Sequence, residues 1–152
     1  YCKVSVYDPA NTIKSEAMVF WWDNLPAPTV EWFPDSDRLL IASSPIVIFS
    51  CSTGKSVWVS HDEPTWKDEY AADELDKCME ASLSPDGRHI AYELIGDKCI
   101  YLMLYDVETQ KRCELGVLIM PIETSCAPEK PIWNDTSSVK WRDTIYRMQE
   151  KT

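Results

Sequence analysis

No apolar run in the chain approaches the ~18–20 residues that a bilayer-spanning helix needs. The longest candidates, around Ile46–Phe49 and Val117–Ile122, are strand-sized, so no membrane insertion is expected. Positive charge is also scarce: 15 Lys and Arg stand against 25 Asp and Glu, a formal net charge of −10. Displacing counterions from nucleic-acid phosphates takes a basic patch, which makes nucleic acid and anionic membranes poor partners here. A basic protein or a cation suits the charge better.

Histidine is nearly absent. His61 and His89 are the only two, so a hydrolytic triad has only these as its base. Ser60-His61-Asp62 is contiguous, which makes its side chains diverge, and there is no G-x-S-x-G nucleophile elbow. His89 follows a turn in an alternating strand, the place of a sheet-face histidine. No C-x-x-C pair is present, which disfavours a structural zinc site or a thioredoxin-like motif. Asp35-Ser36-Asp37 and Asp73-Glu74-Leu75-Asp76 carry oxygen ligands, but neither lies in a twelve-residue loop with a central Gly and a terminal Glu. No enzymatic activity, metal or cofactor is expected.

What is present fits one domain: 152 residues, 45% of them hydrophobic. Six dispersed cysteines, Cys2, Cys51, Cys78, Cys99, Cys113 and Cys126, favour disulfides and an oxidising compartment, with the pairing open among fifteen connectivities. A start at Tyr1 fits a removed secretory signal or a trimmed chain.

A repeat of about 50 residues organises the chain. Phe33-Pro34-Asp35-Ser36-Asp37-Arg38-Leu39-Leu40-Ile41-Ala42 reads like Leu83-Ser84-Pro85-Asp86-Gly87-Arg88-His89-Ile90-Ala91-Tyr92 if the first copy carries one extra turn residue. Trp133-Asn134-Asp135-Thr136-Ser137-Ser138-Val139-Lys140-Trp141 is a weaker third copy. A second signal follows the first: Ile46–Phe49 leads to Ser52-Thr53-Gly54-Lys55, and Ile100–Asp106 leads to Glu108-Thr109-Gln110-Lys111. Pro presets φ, Gly accepts positive φ, and the flanking runs are β-branched or aromatic, so each unit predicts a four-stranded antiparallel sheet.

The expected fold is therefore all-β, an open and partial propeller-like domain of about three blades. Its units cover roughly 28–60, 79–116, and 130–150 joined with 1–24. Inside it, His61–Lys77 is dense in acid, and a short helical excursion is expected near 64–77. Most of the seven tryptophans fall on strands, where they fill space between sheets. Trp66, with Tyr70, is the exception: an aromatic anchor ringed by carboxylates fits a basic protein partner or, in another reading, a glycan. The loop Ile95-Gly96-Asp97-Lys98 joins the middle strands of the best unit and offers an exposed tip on a rigid sheet.

The Ser84-Pro85-Asp86-Gly87 turn, the apolar strand after it and the Tyr105-Asp106 strand end resemble TolB-like and WD40-like propeller repeats. Taken with the six cysteines and the Leu104-Tyr105-Asp106 strand end, they resemble the periplasmic immunity proteins of type VI secretion amidase effectors. That resemblance implies an inhibitor that plugs the active site of a peptidoglycan amidase, with Ile95, Gly96, Asp97 and Lys98 as the plug. The family's loop carries a serine that this loop lacks. It also implies a periplasmic location and, given the acidity of this chain, a basic cognate hydrolase as partner. A self-assembling or scaffold propeller fragment is the alternative.

Overall fold

The computed structural model describes residues 2–7, 10, 12–19, 27–60, 77–96, 98–120 and 127–148. All regular structure among them is β, in four antiparallel sheets. β1 (Cys2–Tyr7) and β2 (Ile13–Val19) form the first. β3 (Thr29–Trp32), β4 (Arg38–Ala42), β5 (Val47–Ser50) and β6 (Ser56–Trp58) form the second, in chain order. The third is a longer copy of it: β7 (Lys77–Leu83), β8 (His89–Ile95), β9 (Cys99–Asp106) and β10 (Lys111–Ile119). β11 (Ile132–Trp133), β12 (Ser138–Trp141) and β13 (Thr144–Arg147) make the fourth.

The sheets pack face to face in chain order because successive side chains on a strand point to opposite faces. On β4, Leu39 and Ile41 pack against Ala17, Val4 and Val6 of the first sheet, while Leu40 and Ala42 pack with Ile90, Tyr92 and Tyr105 of the third. The third sheet repeats the arrangement one step on: Ala91, Ile100 and Leu102 meet Val139 and Trp141 of the fourth. Both middle sheets are thus covered on two sides. This explains why β4 and β5 are buried along nearly their whole length rather than at alternate residues.

The repeated turns superpose more closely than their sequences suggest. Phe33 N–H donates to Arg38 O at 2.9 Å and Ser84 N–H to His89 O at 2.8 Å, so both turns span the same length and the first carries no extra residue. Ser36 (φ 58°) stands where Gly87 (φ 73°) does. Gly54 (φ 67°) and Gln110 (φ 56°) hold the same place in the β5–β6 and β9–β10 turns. The third copy is a residue shorter, with Asn134 N–H donating to Ser138 O at 3.0 Å.

Two expectations change. The N-terminal hairpin does not complete the C-terminal unit: β1–β2 and β11–β13 are separate sheets, because Val4 and Val6 find their apolar partners on β4 and β5 whereas Val139 and Trp141 find theirs on the third sheet. The helix expected near 64–77 lies outside the described residues except for Lys77, which opens β7, and no helix occurs among the described residues.

Candidate functional site

The third sheet is longer than the second, with β7 and β10 paired alongside β8 and β9 as far as Ile95 and Cys99. In the second sheet the β4–β5 pairing runs from Arg38↔Ser50 to Ile41↔Val47; in the third, the equivalent register begins at His89↔Asp106, passes Tyr92↔Met103 and continues to Ile95↔Ile100. The β8–β9 hairpin is three residue pairs longer, roughly 10 Å at strand rise. Its end also differs in environment. The β4–β5 connection buries Ser43, Pro45 and Ile46, whereas at the β8–β9 end Ile95 and Gly96 are half-buried and Lys98 is exposed. Gly96 N–H closes the turn on Cys99 O at 2.9 Å, and Met120 N–H donates to Lys98 O at 2.9 Å, tying the tip to the end of β10. A side chain at Gly96 would meet the Tyr101 ring at ordinary contact distance, 3.4 Å. Asp97 lies outside the described residues.

The opposite end of the strands, where His89 pairs with Asp106, carries turns stiffened by aspartates. In the β3–β4 turn, burial works against the charge of Asp35, yet the N–H groups of Asp37 and Arg38 and the Arg38 guanidinium hold its carboxyl below the usual range. Asp86 repeats this: burial opposes, while the Ser84 hydroxyl at 2.7 Å and Arg88 N–H at 3.1 Å lower it. Ser137 N–H at 2.7 Å and the Ser138 hydroxyl at 2.8 Å do the same for Asp135. Asp37, lowered by the Ser50 and Ser52 hydroxyls, pins the β5–β6 turn to the β3–β4 turn. Asp106 is lowered chiefly by Thr109 N–H at 2.7 Å. The Asp35-Ser36-Asp37 carboxylates are thus engaged in turn hydrogen bonds, and the described residues contain no group of three or more His, Cys, Asp or Glu side chains placed to hold a metal.

Trp66, Tyr70 and His61 lie outside the described residues, as do Asp73–Asp76. His89 is packed: its ring lies 6.3 Å from that of Trp133, its Nε2 is 3.7 Å from Asp106, and its Nδ1 is buried with no hydrogen-bond partner among the described residues. The tryptophans divide. Trp141 is buried, Trp58 packs under the first sheet and Trp133 donates from Nε1 to Ser82 O at 3.2 Å, but Trp32 is 53% exposed on the part of the second sheet that two-stranded β1–β2 leaves uncovered.

The expected disulfide framework is corrected for the described thiols: Cys51, Cys99 and Cys113 are free. Cys113 pairs with Leu104, five residues along β9 from Cys99, roughly 17 Å at strand rise and far beyond the ~7 Å Cα reach of a disulfide. Cys51 packs with the first and second sheets, and burial followed by the Asp37 and Asp35 carboxylates pushes its thiol up, away from reactive thiolate. The side chains of Cys2 and Cys78, and all of Cys126, lie outside the described residues.

Sequence reasoning did not find a charged cluster where first strands converge. Glu31 on β3 accepts Leu83 N–H of the third sheet at 2.9 Å and pairs with Lys130, just ahead of the fourth. Glu93, with no exposed surface, accepts from Trp141 Nε1 at 2.6 Å, Arg142 Nη2 at 3.0 Å and Glu129 N–H at 3.0 Å. Glu80 is raised, first by burial, with Lys130 opposing and Glu93 adding. This cluster braces three sheets. Its signal was present in the sequence as a lone glutamate in the apolar run Ile90–Ile95.

No protein-family model matches the chain, and no curated protein matches it.

Proposed function

We propose that this chain is a periplasmic inhibitor of the immunity-protein kind. In this reading it binds a cognate peptidoglycan amidase effector and blocks it with the β8–β9 tip, Ile95 to Lys98. The observation that carries the reading is the extra length of that hairpin: three residue pairs more than its counterpart, ending in an exposed Lys98 rather than a buried turn. A tip stiffened by two paired strands loses little conformational freedom on entering a cleft, which favours inhibition over a floppy loop. A net charge of −10 speeds encounter with a basic hydrolase by electrostatic steering.

The four sheets support a propeller-like fan as the carrier. Sheets stacked flat stand ~10 Å apart, which would place the second and fourth about 20 Å from one another. Glu31 of the second nevertheless reaches Lys130 beside the fourth, as it does when first strands converge on an axis and the sheets splay outward. The free thiols Cys51, Cys99 and Cys113 remove part of the cysteine argument for an oxidising compartment, so the periplasmic placement rests on the resemblance of the repeat motifs. The test is binding to, and inhibition of, a peptidoglycan amidase encoded beside this chain. Stoichiometric inhibition supports the reading, and absence of binding at micromolar concentration refutes it.

One observation favours a second reading, self-assembly. The outward face of the fourth sheet shows Ile132 at 59% and Ile145 at 58% exposure, in register with residues that the third sheet covers in the second. Sedimentation at micromolar concentration separates the two readings, because the assembly reading does not survive a clean monomer.

A further inference from the structure

Between the second and third sheets, at the end holding the β5–β6 and β9–β10 turns, lies a half-open cavity of about 200 Å³. Its walls include Ile48, Val57 and Val107, and its polar groups include Arg38, Lys55 and Tyr105. Two features separate it from an ordinary packing gap. First, Lys55 lines it and no carboxylate does among the described lining residues, Arg38 being neutralised by Asp35, in a chain whose acids outnumber its bases by 25 to 15. Arg38 is held in place by Asp35 and by the Phe33 ring 4.4 Å below its guanidinium, while the Lys55 side chain makes no ion pair among the described residues. Second, Tyr105 is only 1% exposed, yet none of the described residues gives its hydroxyl a hydrogen bond. A phenol packed this tightly normally finds a protein partner, and this hydroxyl is left to the solvent of the cavity.

We propose that the cavity is a binding site for a small amphipathic carboxylate. The Tyr105 hydroxyl and the Lys55 ammonium take the carboxylate, and a short branched hydrocarbon lies against Ile48, Val57 and Val107. Two hydrogen-bonding groups of which one is cationic select a charged acceptor over a neutral one, since charge-assisted hydrogen bonds are about twice as strong. The volume sets the size: at about 30 Å³ per water-sized group, the space holds on the order of seven non-hydrogen atoms. 3-Methylbutanoate has that size and shape. The site stands apart from the β8–β9 tip and does not depend on an inhibitor role.

The experiment is an amide-resolved NMR titration of the full chain with 3-methylbutanoate and, in parallel, with 3-methylbutanamide. The expected result is a saturable shift of resonances from residues 48–57 and 105–110 with the acid, and binding about tenfold weaker with the amide. Lys55→Gln, at an exposed position, and Tyr105→Phe, which keeps the ring, are each expected to weaken acid binding about tenfold, the ~1.4 kcal/mol of one good polar contact. Four results would overturn the proposal: no saturation at tens of millimolar acid, equal binding of acid and amide, shifts on another face of the molecule, or undiminished affinity in Lys55→Gln.

Discussion

A carboxylate with no exposed surface, Glu93, gathers donors from Trp141, Arg142 and Glu129, and removing it takes that acceptor from the Trp141 indole and Glu129 N–H and leaves Arg142 with only Ala127 O and Glu129. Breaking one side of a buried ion pair costs about 3–5 kcal/mol, so Glu93→Ala is expected to lose stability on that scale in urea unfolding. Glu80 behaves oppositely. Burial holds its folded carboxyl above the usual glutamate range, so ionisation works against folding once pH rises through that range, and it costs nothing below it. Glu80→Gln should therefore raise Tm at pH 7 and leave it unchanged at pH 4, and a lower Tm at pH 7 would show that Lys130 outweighs burial. Gly116 is fixed by contact rather than by φ: a Cβ there would stand 2.5 Å from the Tyr146 ring. Gly116→Val is expected to cost about 1–3 kcal/mol by overpacking, and less in a Tyr146→Ala background. Neither Glu93 nor Gly116 was legible as a contact, because each meets a residue of the next sheet, and inter-sheet pairing leaves no periodic mark in the sequence.

Turns and strands were far more legible. Pro-Asp-Gly chemistry located the β7–β8 turn, and the apolar runs that follow it, Ile100–Asp106 among them, lie in β8 and β9. The first copy was harder to align because Ser36 stands at a positive-φ position that usually takes Gly, which hides the equal length of the two turns. The aspartates of these turns set an acid limit. Hydrogen bonds in these turns hold Asp35, Asp37, Asp86, Asp106 and Asp135 below the usual aspartate range in the folded chain. The folded state thus binds fewer protons than the unfolded one in that range. Their contribution is complete above about pH 4 and is lost as pH falls through the depressed values, so urea midpoints should be flat from pH 7 to 5 and drop below 4. Asp86→Ala, which loses the Ser84 and Arg88 bonds, is expected to cost about 1–2 kcal/mol at pH 7 and much less at pH 2. Equal loss at both pH values would mean that the charge of Asp86 has no part in the turn.

At the scale of the molecule, four sheets in chain order give two middle sheets packed on both faces, and function is expected where the repeat is uneven. The third sheet is longer than the second throughout the described residues, and the β8–β9 tip at its extended end carries the proposed plug. The sequence marked that loop by its glycine and its position between two good strands, but the excess length emerged only when the registers of two sheets were compared. Tip substitutions leave the core untouched, since Lys98 is exposed and Gly96 meets only its own hairpin. The most direct measurement is inhibition of the cognate peptidoglycan amidase by the wild-type chain and by Lys98→Glu and Gly96→Trp, each first checked for an unchanged Tm. Stoichiometric inhibition by the wild type, weakened at least about tenfold in both variants, is the predicted result. Full inhibition by both folded variants would contradict the assignment of the plug, and a wild-type chain without inhibitory effect would contradict the function itself.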